Sequence, residues 1–334
     1  MPPRGRLPLL VLGFAALAFG IAGGLVRLGA AIPAPPGAIA LHGALMVSGF
    51  LGTVIGLERA VALGRLWAYA APLASGLGGL CLLAGLAAPG FALLALAAAV
   101  LVAASLAVLA RQPSVEMATL LGGAVAWLAG NLSPYAALPA VPWWIAFFAL
   151  TIGGERLELS RYLKRPRWAQ GAFVLLAATL LAAPLAPRAL GAVLVLLAGW
   201  LFCFDLARVT VRRHGLPRYI AVCLLSGYAW LAFGGVLLAG ATAYDAALHA
   251  IFVGFVFSMV FGHAPVILPA VLRVRLPYHP ALYAPLVLLH ASLALRVFVS
   301  PLAGAWGNAA AIALFIVTAA TLTARRARSV RPMR

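Results

Sequence analysis

Charge is what this sequence has least of. Only 9% of its 334 residues are charged and only 6 are acidic. Soluble globular domains carry roughly a quarter charged residues, so that class is excluded. Five of the acidic residues (Glu58, Glu116, Glu155, Glu158 and Asp205) fall at the ends of apolar segments, beside arginines. No paired intramembrane carboxylates are expected, and so no carboxylate relay for a proton pump. Cysteine is nearly absent. Cys81, Cys203 and Cys223 lie inside apolar segments without CxxC or metal-ligand spacing, which makes them packing residues silent about redox compartment. The chain has no phosphate loop, no Ser/His/Asp set and no His-His dipeptide, and no catalytic residue is proposed. Nor does a linker or low-complexity segment divide it, so residues 1–334 read as one transmembrane domain.

What is present is hydrocarbon. The chain is 65% hydrophobic with a mean hydropathy of +1.09. Apolar runs of ~20 residues recur along it, the length that crosses a bilayer as helix. We count twelve spans, at about 7–31, 38–57, 67–88, 90–110, 115–138, 141–160, 168–186, 189–207, 217–241, 245–268, 280–299 and 302–324. The first is too long for the ~7–15-residue apolar region of a signal peptide. Short loops marked by Pro or Gly join them. The expected fold is therefore an all-α polytopic membrane protein of about twelve helices.

The net charge of +18 would point to nucleic acid were the charges not confined to the loops. With both termini placed on the cytoplasmic side, all but three of the 24 basic residues fall there, the last of them in the tail from Arg325 to Arg334. The exceptions are Arg27, Arg188 and Arg296. This asymmetry sets the expected orientation in a cell membrane, with lipid and not nucleic acid as the partner.

Histidines are few, and a histidine within hydrocarbon is costly and commonly functional. His249 and His263 flank an apolar run and are 14 residues apart, close to four turns at 3.6 residues per turn. A second stretch places His42, Met46, Gly49, Thr53 and Gly56 on one helical face. That face is nearly bare below the imidazole, with room for something flat and wide. His42 and His249 each lie about four residues in from the outer end of a span, ~6 Å at 1.5 Å per residue, and so at one depth. Neutral imidazole is a strong axial ligand for haem iron. The pair is a candidate clamp for haem, with Arg27 and Arg296 near its anionic propionates. Otherwise both are interface histidines bonded to carbonyls. His263 and His290 are candidates for a second metal, haem or copper, or for bonds across helices. Met46 and Met259 are either soft ligands or core.

Two patterns concern packing. Small residues at Gly20 and Gly24, at Ser48, Gly52 and Gly56, and at Gly254, Ser258 and Gly262 would let helices approach closely. The helix ends Gly56-Leu-Glu58-Arg59, Gly153-Gly154-Glu155-Arg156 and the end near Arg273 fall four spans apart, which suggests three units of four helices in pseudo-three-fold arrangement.

His42-x-x-x-Met46-x-x-Gly49-Phe50 together with His249-Ala250-x-x-x-Gly254-x-x-x-x-Met259 resembles the NnrS family, twelve-helix haem- and copper-containing membrane proteins tied to nitric oxide stress. More distantly it resembles the core subunit of haem–copper oxidases, in which histidines on the second and tenth helices hold the low-spin haem. The chain departs from both. Ala44 stands where the NnrS motif has its second histidine, Gly262-His263 matches its last motif only approximately, and spans six and seven lack the oxidase histidines. The resemblance implies one haem, of b type, ligated by His42 and His249, with copper as a further metal and a redox protein as partner. Oxygen reduction with proton pumping is not implied. Two other functions stay open. One is a secondary transporter of a small solute, since the Gly56-to-Arg65 loop resembles one in major-facilitator transporters. The other is a structural or assembly protein without a ligand.

Overall fold

The computed structural model describes residues 1–161 and 163–329, without the side chains of residues 4 and 327–329. Of the basic tail, Arg331 and Arg334 therefore lie outside the described residues. Helix makes up 84% of the structure, and no strand occurs among the described residues. The long helices are α1 (Pro3–Arg27), α2 (His42–Leu63), α3 (Leu66–Leu83), α4 (Ala87–Arg111), α5 (Val115–Ala136), α6 (Val141–Leu159), α7 (Arg167–Ala182), α8 (Pro187–Phe204), α9 (Leu216–Ala239), α10 (Tyr244–Leu272), α11 (Pro280–Phe298) and α12 (Pro301–Ser329). Ten helices among the described residues are long and apolar enough to cross a membrane. The other two are α6, which ends in the charged run Glu155-Arg156-Leu157-Glu158, and α7, which is 16 residues long. The protein is an all-α polytopic membrane protein.

Contacts group the chain into two compact units rather than the three four-helix units read from the helix ends. The first comprises Met1–Glu158 with Leu180–Leu185, and the second Leu159–Thr179 with the chain from Ala186 on. The first unit thus contains α1 to α6 and the second most of α7 with α8 to α12.

In the first unit α1 and α2 meet along a four-step ladder of small residues. Building a Cβ on Gly24 would place it 2.8 Å from the His42 ring, and one on Gly20 would lie 2.9 Å from Met46 Sδ. A Cβ on Gly49 would reach 2.9 Å from Ala16, and one on Gly13 would reach 3.2 Å from Thr53. The face that looks bare in sequence is therefore covered by α1, which takes the room a flat group would need there. Gly56 leaves this face and turns to α3, against Pro72 and Ala71. Without a hydrophobic force between helices in lipid, such close backbone approach is what holds them together. In the second unit, Gly191 of α8 fits against Ala239 of α9, Gly227 of α9 against Met259 of α10, and Gly304 of α12 against the backbone of Arg296 in α11.

Both α2 and α10 are interrupted by eight residues of π-helix, Leu45–Gly52 and Ala250–Phe257. Each segment contains a Gly-Phe step, Gly49-Phe50 or Gly254-Phe255, and is followed by a hydroxyl residue. Thr53 Oγ1 donates to the carbonyl of Gly49 (2.7 Å), and Ser258 Oγ donates to the carbonyl of Gly254 (2.6 Å). A hydroxyl inserted into the ladder is a known cause of such distortion. π turns hold more residues than α turns, since each N–H reaches five residues back. The 3.6-residue count that aligned His249 with His263 therefore fails across the segment between them.

Gly23 of α1 tests the close-approach account. Its Cβ would lie 2.1 Å from the carbonyl oxygen of Ala38, in the short Pro36–Ala40 turn, whereas nothing lies within 4 Å of Gly171. Gly23→Leu should destabilise the protein by at least ~1–3 kcal/mol through overpacking. Gly171→Leu should leave the thermal midpoint in detergent unchanged.

Candidate functional site

The histidines are distinguished by which ring nitrogen is already committed. His42 opens α2 just before its π segment. Its Nδ1 lies 2.6 Å from the carbonyl oxygen of Gly20, and its ring packs over Gly24. A carbonyl can only accept, so Nδ1 carries the proton. In the neutral ring the lone pair is then at Nε2. His249 is the last residue before the π segment of α10. Its Nδ1 lies 2.7 Å from the carbonyl oxygen of Asp245, one turn back, so the same tautomer follows. His263 donates likewise from Nδ1 to the carbonyl of Met259 at 2.8 Å. Histidines that ligate metals almost always give their second N–H to a carbonyl or carboxylate, which fixes the tautomer and aims the other nitrogen.

His290 has the opposite tautomer. Trp230 Nε1, a group that can only donate, lies 3.0 Å from His290 Nδ1. Nδ1 is therefore the acceptor, and the proton is on Nε2. That nitrogen faces Ser258 Oγ at 3.5 Å, whose own hydrogen goes to the Gly254 carbonyl. The Trp230 ring also fills the notch beside Gly254, where a Cβ would come 2.4 Å from its Cγ. His290 is thus a strut that ties α9 and α11 to the end of the π segment. A metal there would have to displace the indole.

Each arginine proposed for the propionates lies in the same unit as one of the two histidines. Arg27, exposed at the end of α1, donates from Nη1 to the Ile39 carbonyl (3.3 Å), three residues before His42. Arg296 is 93% buried in α11, and its Nη2 donates to Asp245 Oδ2 at 3.1 Å and Oδ1 at 3.5 Å. Asp245 Oδ1 is also 3.3 Å from His249 Nδ1. Met46 lies in the notch left by Gly20, and Met259 in that left by Gly227, so both thioethers fill packing gaps. No group of three or more His, Cys, Asp or Glu residues with metal-binding geometry occurs among the described residues.

Three features escape the sequence. The first is Asp245, whose signal is its i, i+4 spacing to His249. The second is a buried network in the first unit. There Ser48 Oγ donates to Asn131 Oδ1 (2.8 Å) and accepts from Trp127 Nε1 (2.9 Å), while Trp144 Nε1 donates to the same amide oxygen (3.2 Å). Asn131 Nδ2 closes the set on the Leu94 carbonyl (3.1 Å). Each of the four side chains has a partner within the set, as burial requires. It pins the π segment of α2 to α4, α5 and α6. The third is that the fold brings Glu58, at the end of α2, within electrostatic reach of Glu155 in α6 and of Arg59.

Trp230→Phe keeps the ring and removes the indole N–H. It should cost ~0.6 kcal/mol, and up to ~1.7 kcal/mol, the range for hydrogen bonds between membrane helices. The thermal midpoint in detergent, against that of wild type, measures it.

The chain belongs to the DUF8744 family, described as a domain of unknown function, which it matches over residues 6–324. No curated protein and no solved structure matches it.

Proposed function

We propose that this member of the DUF8744 family is a multi-pass membrane haem protein, with His42 and His249 as axial ligands through Nε2. It would act in electron transfer or in the response to nitric oxide or another diatomic gas. The observation that supports this is the shared tautomer: both rings give the Nδ1 proton to a backbone carbonyl, the arrangement common among metal-ligating histidines. His290, fixed the other way by Trp230, is not part of this proposal. Copper at His263 remains compatible with its tautomer. The arginine-rich loops support an orientation with both termini on the cytoplasmic side, in which the two histidines would lie toward the outer face of a cell membrane.

The residues fit a haem as ligands, but not on the small-residue face of α2, which α1 fills. Bound haem would supply one-electron chemistry and a site for diatomic gases. The chain supplies two imidazoles whose rings are held by backbone carbonyls.

Haem-replete expression followed by absorption spectroscopy is the test. A Soret band is expected in wild type. A haem held by both histidines predicts that His42→Ala and His249→Ala each disturb the whole band. One haem per histidine predicts that each variant loses about half. Wild-type protein with no Soret band would reject the proposal.

A second reading, a secondary transporter of a small solute, rests on the likeness of the Gly56-to-Arg65 loop to one in major-facilitator transporters. It expects solute uptake in vesicles that His42→Ala and His249→Ala leave intact.

A further inference from the structure

Asp245 touches two partners of opposite consequence. Toward His249 it offers its backbone carbonyl at 2.7 Å and Oδ1 at 3.3 Å, both to the Nδ1 proton. Toward Arg296 it offers both carboxylate oxygens, at 3.1 and 3.5 Å. Arg296 is not free to leave. Its backbone is wedged against Gly304, where a Cβ would come within 2.3 Å of the Arg296 Cα, and its side chain is 93% buried. Its Nε is buried with no hydrogen-bond partner, so the carboxylate is the main compensation for this charge. The pair also ties the first turn of α10 to the last turn of α11, 51 residues apart in sequence.

We propose that Asp245 is a positioning residue that sets the electron donation of His249, and that Arg296 moderates it. The inference rests on His249 being a haem ligand. A carboxylate beside the Nδ1 proton draws that proton toward itself and makes Nε2 a stronger donor, the second-shell arrangement that tunes metal-bound histidines. Stronger donation favours ferric over ferrous iron. Arg296 competes for the same carboxylate and weakens its pull on the ring. The two residues therefore act on one ligand with opposite sign, through one shared group.

Two variants separate this from a purely structural role. Asp245→Asn keeps the shape and an acceptor but loses the charge. It should shift the ferric/ferrous equilibrium about tenfold toward the ferrous state, a rise of 59 mV for a one-electron couple. Arg296→Gln releases the carboxylate to His249 and should move the midpoint potential down. Both should also shift the g-values of the low-spin ferric electron paramagnetic resonance signal, because the ligand itself has changed. Unchanged potentials in both variants overturn the inference, as do shifts of the same sign. Shifted potentials with unaltered g-values would mean a charge acting through space, which also overturns it. If Asp245→Asn loses haem to the extent that His249→Ala does, the carboxylate is only a strut, and the inference fails. Wild-type protein that binds no haem rejects the underlying ligand assignment instead. In every other case that assignment survives on the spectra of the histidine variants.

Discussion

In a hydrocarbon setting no water stands in for a missing partner, so each polar group in a spanning segment must be satisfied by the protein. Much of what is specific here follows from that constraint. It explains why Ser48, Trp127, Asn131 and Trp144 form a closed set, and why Ser75 donates to the Ser48 carbonyl. It also explains why the imidazoles of His42, His249 and His263 each rest on a backbone oxygen. An imidazole has two nitrogens, however, and a carbonyl settles only one. His290 shows the alternative, in which an indole and a serine occupy both edges of the ring.

The two π segments follow from the same constraint. Widening a helix disturbs its ladder, and a hydroxyl one position beyond each segment bonds the carbonyl of the central glycine. Glycine and a bulky neighbour occur together at both: Trp127 lies over Gly52, and Trp230 lies over Gly254. His249 directly precedes its segment, and His42 stands three residues before its own. Widened turns recur at functional sites, which agrees with placing the candidate ligands there.

The spans were legible because hydropathy and Pro or Gly punctuation are local properties. The long helices fall where the apolar runs do, and the small residues at Gly20, Gly24, Gly254 and Gly262 do mark close contacts. What packs against a face is not local. His42, Met46, Gly49 and Thr53 do share one side of α2, but a small-residue stripe that admits a flat ligand equally admits a second helix, and α1 takes it. The partner of His290 is 60 residues away in sequence, so the pairing has no signature in its own segment. The π segments escaped because the hydropathy of eight apolar residues is the same whether each N–H reaches back four residues or five.

That ambiguity carries a consequence for how the chain tolerates changes in length. A π turn is an α turn that has absorbed surplus backbone. Excising one residue between Ala250 and Phe257 would let the segment rewind as α-helix and take up the loss locally, so that His249 and Asp245 kept their register with Arg296 and with Ser258 onward. The same excision in the regular helix from Ser258 to Leu272 finds no surplus to remove, and at 3.6 residues per turn it would swing one side of the cut by ~100° against the other. A single-codon deletion is therefore better tolerated in the widened turns than anywhere else in this helix.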